Sequence, residues 1–166
     1  PPPGISHDDS FFSKLETEAV GRKYIGIYAN SSPSFSTTQV RLYSILLQAS
    51  KMFDEENKNL QDAYHTMLCY YSSLKELGHA KTMIEDDVKS LRLRTLYSKL
   101  NLEAKNRRYV NNIEELTSRK QDYEIPKIMA NLGKEGYIDA CLATNMISVG
   151  LDIQRLSLMC CVCQPK

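Results

Sequence analysis

Apolar runs of strand length alternate with helix-like periodic stretches along most of the chain. The runs at 66–71, 137–143 and 156–163 are continuous in their apolar character, which is typical of strands that are buried on both faces. Between them, apolar residues recur every three or four positions at 77–91 and 125–132, as on one face of a helix. This alternation predicts an α/β fold in which helices flank a mostly parallel sheet.

Local signals support these boundaries. Ser73 and Glu76 have the spacing of a capping box, which predicts a helix start directly after the first apolar run. A weaker strand is predicted at 112–119, before a helix that tolerates Pro126 in its first turn and ends at Gly133.

The pattern before residue 63 is less regular. A proline-rich tail followed by a short amphipathic helix is predicted for 1–22, and a strand rich in β-branched and aromatic residues for 23–29. A second capping box, with Ser36 as N-cap, predicts a helix that continues to about Met52 with an apolar stripe along it. The stripe consists of Val40, Tyr43, Leu46 and Leu47.

Residues 54–62 are polar and without period, which predicts a linker or surface loop. We therefore divide the chain into an N-terminal extension, 1–62, and a main α/β domain, 63–166. The extension would pack on the domain or lead into it.

Composition narrows the functional classes. A formal net charge of +1 over 166 residues implies that any contact with nucleic acid depends on local patches. No apolar run approaches the ~18 residues of a membrane span, so we expect a soluble, cytoplasmic protein that does not contact membranes. Five cysteines, an odd number grouped late in the chain, are typical of reduced thiols.

The positions of the cysteines and histidines do not indicate a metal site or a catalytic site. Cys160, Cys161 and Cys163 have no histidine nearby and no second ligand pair at zinc spacing, so we interpret them as buried small hydrophobic residues and predict no metal site. The three histidines are scattered, and we assign them no catalytic role. They are His7, His65 and His79.

A basic stretch between residues 89 and 108 contains seven cations and one acid, Glu103. It has two interpretations: a solvated surface, as charge runs usually are, or a patch that binds phosphates. The cations are Lys89, Arg92, Arg94, Lys99, Lys105, Arg107 and Arg108.

Residues 141–153 form the stretch with the strongest functional signal. A buried strand ends at Ala143-Thr144, and a polar loop then leads to Gly150-x-Asp152. Open α/β sheets present ligand-binding groups at the carboxyl ends of their strands, and one carboxylate can accept both hydroxyls of a ribose. Alternatively, Thr144 caps a turn, Gly150 supplies a positive φ and Asp152 caps the next segment.

Thr117-Ser118-Arg119 ends the weaker strand in the same manner. Two hydroxyls and a guanidinium at a strand-to-helix junction can donate to a phosphate. The alternative is that Thr117 and Ser118 are helix caps and Arg119 is a surface charge.

The string Ala143-Thr144-Asn145 through Asp152 resembles motif V of superfamily 2 helicases. Together with Leu116-Thr117-Ser118-Arg119 and the terminal Gln164-Pro165-Lys166, it resembles the helicase-like subunits of DISARM-type anti-phage defence systems. The resemblance covers about residues 64–166, and it implies the C-terminal RecA-like domain of an ATP-dependent helicase or translocase. In that family the domain continues past Lys166 into motif VI, so we expect this chain to hold most of it.

The resemblance assigns roles to seven residues. Gly150 and Asp152 would face the ATP ribose, and the other five would face single-stranded DNA or RNA. These five are Thr117, Ser118, Arg119, Thr144 and Asn145.

The chain lacks the Gly-x4-Gly-Lys-Ser/Thr loop and the Asp-Glu motif of a complete motor. ATP would therefore be shared with an N-terminal RecA-like domain that holds Mg²⁺, and we do not expect this chain alone to hydrolyse ATP. A different class of function is a non-catalytic α/β adaptor that binds nucleic acid or protein.

Overall fold

The computed structural model describes residues 9–10, 13–14, 21–30, 32–53, 55–144, 153 and 155–163. The chain divides into two compact units, Pro1–Asn30 and Ser31–Lys166. In the first unit, strands β1 (Asp9–Ser10) and β2 (Ser13–Lys14) form an antiparallel pair. The helix predicted near the start of the chain is therefore wrong at Ser13 and Lys14, and residues 21–22 are not helical either; residues 11–12 and 15–20 lie outside the described ones.

Residues 21–29 have no regular secondary structure, so the strand predicted at 23–29 is wrong. Its large side chains are exposed, including Tyr24 at 85% and Tyr28 at 89%. A preference for extended backbone gives a strand only where a neighbouring strand pairs with the backbone and covers a face.

The second unit contains a sheet of four parallel strands in the order β4-β5-β3-β6. This confirms the expected α/β class and is consistent with a RecA-like fold. The strands are β3 (Met67–Tyr70), β4 (Ile113–Leu116), β5 (Ala140–Ala143) and β6 (Leu158–Cys161).

Alternating residues of the central strands face two separate apolar cores. Met67, Cys69 and Leu142 belong to one core, and Leu68 and Cys141 belong to the other. Burial on both faces explains why these strands are continuously apolar in sequence.

Helix α1 (Phe35–Ser50) and the helices after β3 cover the first face of the sheet. α1 begins two residues earlier than predicted. Ser34 is its N-cap and accepts the backbone N–H of Thr37, whereas the proposed cap, Ser36, lies within the first turn. Both residues are serines beside a helix start, so the sequence pattern alone did not separate them.

A long helical stretch follows β3: α3 (Leu74–Met83), a π-helical segment (Ile84–Arg92) and α4 (Leu93–Lys99). Ser73 caps α3, as predicted, by accepting the N–H of Glu76. Ser90 Oγ donates to the carbonyl of Glu85, 3.0 Å away and five residues earlier, within the widened turn.

The polar stretch 54–62 is largely helical, so the predicted loop is wrong over most of its length. It forms a short 3₁₀ helix (Glu55–Asn57) and α2 (Lys58–Ala63). The compact unit begins at Ser31, and within it the buried Gln48 of α1 donates to the carbonyl of Asn106 at 2.7 Å. The division of the chain into an extension, 1–62, and a domain, 63–166, stays a prediction.

Helix α5 (Glu124–Leu132) covers the second face. At the β6 end of the described sheet, Cys160 is half-buried while Cys161 and Cys163 are exposed, so the interpretation of all three as buried is wrong for the last two. Across the part of the chain that the structure describes, no helix has the length and apolar character needed to span a membrane.

Candidate functional site at the carboxyl-terminal edge of the sheet

The carboxyl ends of the parallel strands meet at one edge of the sheet. Tyr71 follows β3, and its N–H donates to the carbonyl of Ala143 at 2.9 Å. Thr144 follows β5, and its N–H donates to the carbonyl of Leu116 at 3.4 Å. The start of the string that resembles motif V therefore lies beside the Thr117-Ser118-Arg119 turn, as expected for a ligand edge of an open α/β sheet.

Thr117 shapes this turn from within. Its side chain is fully buried, its hydroxyl donates to Oε1 of Glu115 at 2.8 Å, and it accepts the N–H of Arg119 at 3.3 Å. Ser118 and Arg119 are exposed. Direct contact between Thr117 and nucleic acid stays a prediction, while the geometry gives its hydroxyl a positioning role for Arg119.

Arg119 is a solvent-facing cation. Among the described residues, no carboxylate lies within ion-pair distance of its guanidinium, whereas the adjacent Lys120 is 3.8 Å from Glu124. α5 begins only at Glu124, so the alternative in which Thr117 and Ser118 cap that helix is wrong. Arg119 is thus available to an anion arriving from solvent.

The serines after β3 also lie at this edge, but each hydroxyl has a partner within the protein. Ser72 donates to Oε2 of Glu76 at 2.8 Å, and Ser73 accepts the N–H of the same residue at 3.3 Å. This arrangement holds the start of α3 in place.

Thr144 is half-buried at the end of β5. Asn145, Gly150 and Asp152 lie outside the described residues. The roles assigned to them, like the contact between Thr144 and nucleic acid, stay predictions.

The opposite edge of the sheet holds an ionic cluster that sequence analysis missed. Oδ2 of Asp139 accepts the backbone N–H groups of Asn111 and Asn112 at 2.6 and 2.9 Å. Oδ1 lies 2.8 Å from Nη2 of Arg108 and 3.3 Å from Nε2 of His65. Burial alone would raise the pKa of Asp139, but the hydrogen bonds from His65 and Asn112, the Arg108 charge and the Asn111 hydrogen bond together lower it.

Arg108 belongs to this cluster and not to the surface. Its side chain is 7% exposed, and Nη2 also donates to the carbonyl of His65 at 3.1 Å. Burial lowers the pKa of Arg108, and the charge of Asp139 opposes that shift. The only signal in the sequence was a charged residue, Asp139, inside an apolar run, where charges are rarely found without a partner.

A second ion pair joins α2 to the segment before β6. Nε of Arg155 donates to Oδ2 of Asp62 at 2.9 Å, and Nη1 donates to the carbonyl of Leu132 at 3.0 Å. The hydrogen bond from Arg155 is the main reason why the pKa of Asp62 is lowered. The contacts to Asp62 tie the end of α2 to the segment before β6.

No protein-family model matches the chain. The whole chain is similar to a segment of the DISARM protein DrmA from Bacillus paralicheniformis, with 41% identity over 173 residues. The match covers 100% of this chain and 15% of that protein. The similarity supports a relation between this chain and one part of a DISARM protein.

Proposed function

We propose that the chain contributes the second RecA-like half of an ATP-dependent helicase or translocase in a DISARM-type anti-phage system. The observation that carries this proposal is the pairing of two strand ends. The N–H of Thr144, where the motif V string begins, bonds to the carbonyl of Leu116, directly before Thr117. Similarity to a DISARM protein over the full chain supports the same assignment.

In this proposal the strand-end turn grips the nucleic-acid backbone. Arg119 is exposed and has no carboxylate partner among the described residues, so it can donate to a phosphate without breaking an internal ion pair. Ser118 is exposed beside it and adds a hydroxyl donor. The internal hydrogen bonds of Thr117 hold the turn in one shape, which lowers the entropy lost on binding.

Gly150 and Asp152 are the proposed contacts to the ATP ribose, by resemblance to motif V. ATP hydrolysis supplies the free energy for movement along the strand, and Mg²⁺ and the phosphate-binding loop would come from a second RecA-like domain. Thr144 and Asp152 belong to the same string that resembles motif V, so in this proposal nucleotide binding at Asp152 is coupled to the strand grip at Thr144.

The test is an Asp152→Ala substitution in the full-length protein that contains this chain. We expect nucleic-acid-stimulated ATP turnover at subsaturating ATP to fall about tenfold or more, since the ribose hydroxyls lose a charged acceptor. Asp86→Ala is the matched control, because Asp86 is an exposed carboxylate in the π-helical segment. Unchanged turnover in both variants, or no turnover in the wild type, would overturn the motor and favour the adaptor.

A further inference from the structure

A cluster of aromatic and cationic side chains lies apart from the edge described above. The guanidinium carbon of Arg107 is 5.6 Å from the ring centroid of Tyr97, and the ring of Tyr109 is 6.1 Å from the same ring, tilted by 57°. Arg94 precedes Tyr97 by one helical turn. We call these four residues, Arg94, Tyr97, Arg107 and Tyr109, the Tyr97 cluster.

Tyr97 is the buried ring of the cluster and Tyr109 is the exposed one. Tyr97 is 9% exposed, and its hydroxyl donates to the carbonyl of Arg108. Tyr109 is 56% exposed, so part of its ring is open to a planar group from solvent. Nε of Arg107 donates to the carbonyl of Leu102 at 3.0 Å, which fixes that guanidinium beside the rings.

The charges nearest the cluster are mainly positive, since the acids of this helical stretch, Glu85, Asp86 and Asp87, all precede Lys89. Arg94 is exposed on α4, one helical turn before Tyr97. Burial raises the pKa of Tyr97, and the charges of Arg107, Arg108 and Arg94 oppose that rise. Four cations of the π-helical segment and α4 have no side-chain hydrogen bond or ion pair within the described part of the chain: Lys89, Arg92, Arg94 and Lys99. Glu103, the acid of this stretch, is bound to Lys105 at 2.9 Å.

The cluster lies at the far end of β4 from the Thr117-Ser118-Arg119 turn. Arg107 and Tyr109 precede the strand, whose four residues, Ile113–Leu116, separate the two sites. Four residues of strand extend over roughly 13 Å. β4 is also the outermost strand on its side of the described sheet.

We propose that the Tyr97 cluster is a second contact site for single-stranded nucleic acid, in which Tyr109 stacks on a base and Arg94 and Arg107 bind flanking phosphates. Cations next to an accessible aromatic face are the combination that binds single strands without sequence preference. An acidic protein segment could pair with the cations, but it does not carry a flat ring at each residue that could stack on Tyr109. The site does not depend on ATP, so it goes beyond the proposed motor.

The experiment measures binding of a fluorescein-labelled oligo(dT) 20-mer, and of the matching oligo(U), to the full-length protein by fluorescence anisotropy. We expect Tyr109→Ala to weaken binding about fivefold or more and Tyr109→Phe to stay within about twofold, because phenylalanine keeps the stacking face. Arg94→Glu should weaken binding and lower the slope of log K against log salt by about 0.7 or more. Arg41→Ala on α1 is the matched control, an exposed arginine outside the cluster.

Three results would overturn the inference: binding by Tyr109→Ala and Arg94→Glu equal to wild type, an equal loss in Tyr109→Phe and Tyr109→Ala, or equal competition by polyglutamate. The last result would indicate a general anion surface. Thermal unfolding of each variant shows whether it still folds. If Tyr109→Ala does not fold, Arg94→Glu tests the inference. Asp152→Ala separates the two proposals, since it should retain strand binding while losing ATP turnover.

Discussion

At the amino-terminal edge of the sheet, Arg108 and Asp139 are buried and paired, with His65 beside them. At the carboxyl-terminal edge, Arg119 is exposed and no described carboxylate pairs with it. The guanidinium groups of two arginines thus have different roles at the two edges of one sheet. Where the chain surrounds it with acceptors it holds segments together, and where the chain leaves it open it can bind an anion from outside.

The comparison also shows how the basic stretch 89–108 divides. Arg108, its last member, is buried in the ionic cluster, whereas Arg94 is exposed and Arg107 lies over the ring of Tyr97. Both interpretations from the sequence, a solvated surface and a phosphate patch, treated these residues as one group. Burial is what separates them, and a count of charges does not report burial.

The largest expected effect is on the buried cluster. Asp139→Ala leaves the charge of Arg108 without its carboxylate and two backbone N–H groups without their acceptor. Breaking one side of a buried ion pair costs about 3–5 kcal/mol of unfolding free energy. Urea unfolding monitored by circular dichroism measures it.

Asp122→Ala is the matched control for that measurement, because Asp122 is exposed beside α5. A double variant, Arg108→Leu with Asp139→Leu, should lose less than Asp139→Ala, since no unpaired charge is left in the interior. A loss below about 1 kcal/mol in Asp139→Ala would show that the cluster is open to water.

A smaller effect on the unfolding free energy is expected from lowering the pH. The folded-state pKa values of Asp139 and Asp62 are lower than the unfolded value of about 4. Both carboxylates therefore stabilise the fold above that pH, and their contribution is lost as pH falls through the folded-state pKa. We expect wild type to lose unfolding free energy between pH 5 and pH 3 more steeply than Asp139→Asn.

Urea unfolding at pH 5, 4 and 3 gives the two curves. The asparagine can still accept one backbone N–H, so this variant removes the titration and keeps part of the local structure. Parallel curves over that interval would mean that Asp139 does not gain from its neighbours in the folded state.

Sequence reasoning found the parts of the fold that follow from burial. The continuous apolar runs predicted β3 and β5, and the periodic stretch predicted α5, because strands covered on two faces and helices covered on one leave these patterns. It failed where the secondary structure of a segment depends on a partner elsewhere in the chain. The residues at 23–29 favour a strand but pair with no strand in the described part of the chain, and α2 is bound at Asp62 by Arg155, far along the chain.

The candidate site divides in the same way. The sequence placed Thr117 and Thr144 at strand ends, and parallel pairing of β4 with β5 then brings them together. The burial of the Thr117 hydroxyl between Glu115 and Arg119 depends on turn geometry that spacing does not report. His65, Arg108 and Asp139 lie up to 74 residues apart in sequence, and the sheet brings them into one cluster.

The smallest expected effect on stability, and the most informative for function, is at Arg119. Arg119→Ala should change the unfolding free energy by less than about 0.5 kcal/mol, because an exposed side chain without an ion pair contributes little to folding. The same variant should weaken oligonucleotide binding by the full-length protein and lower the salt slope by about 0.7, the value for one phosphate contact on a single strand.

Arg119→Lys sharpens this last result, since lysine keeps the charge but not the paired donors of the guanidinium. Retained salt dependence with weaker binding in the lysine variant would indicate a two-donor contact to one phosphate. Thr117→Val removes the hydroxyl that accepts the Arg119 N–H, and it should weaken binding without removing a charge. If Arg119→Ala binds as wild type does, the open edge is not a nucleic-acid contact, and the difference between the two edges is then one of stability alone.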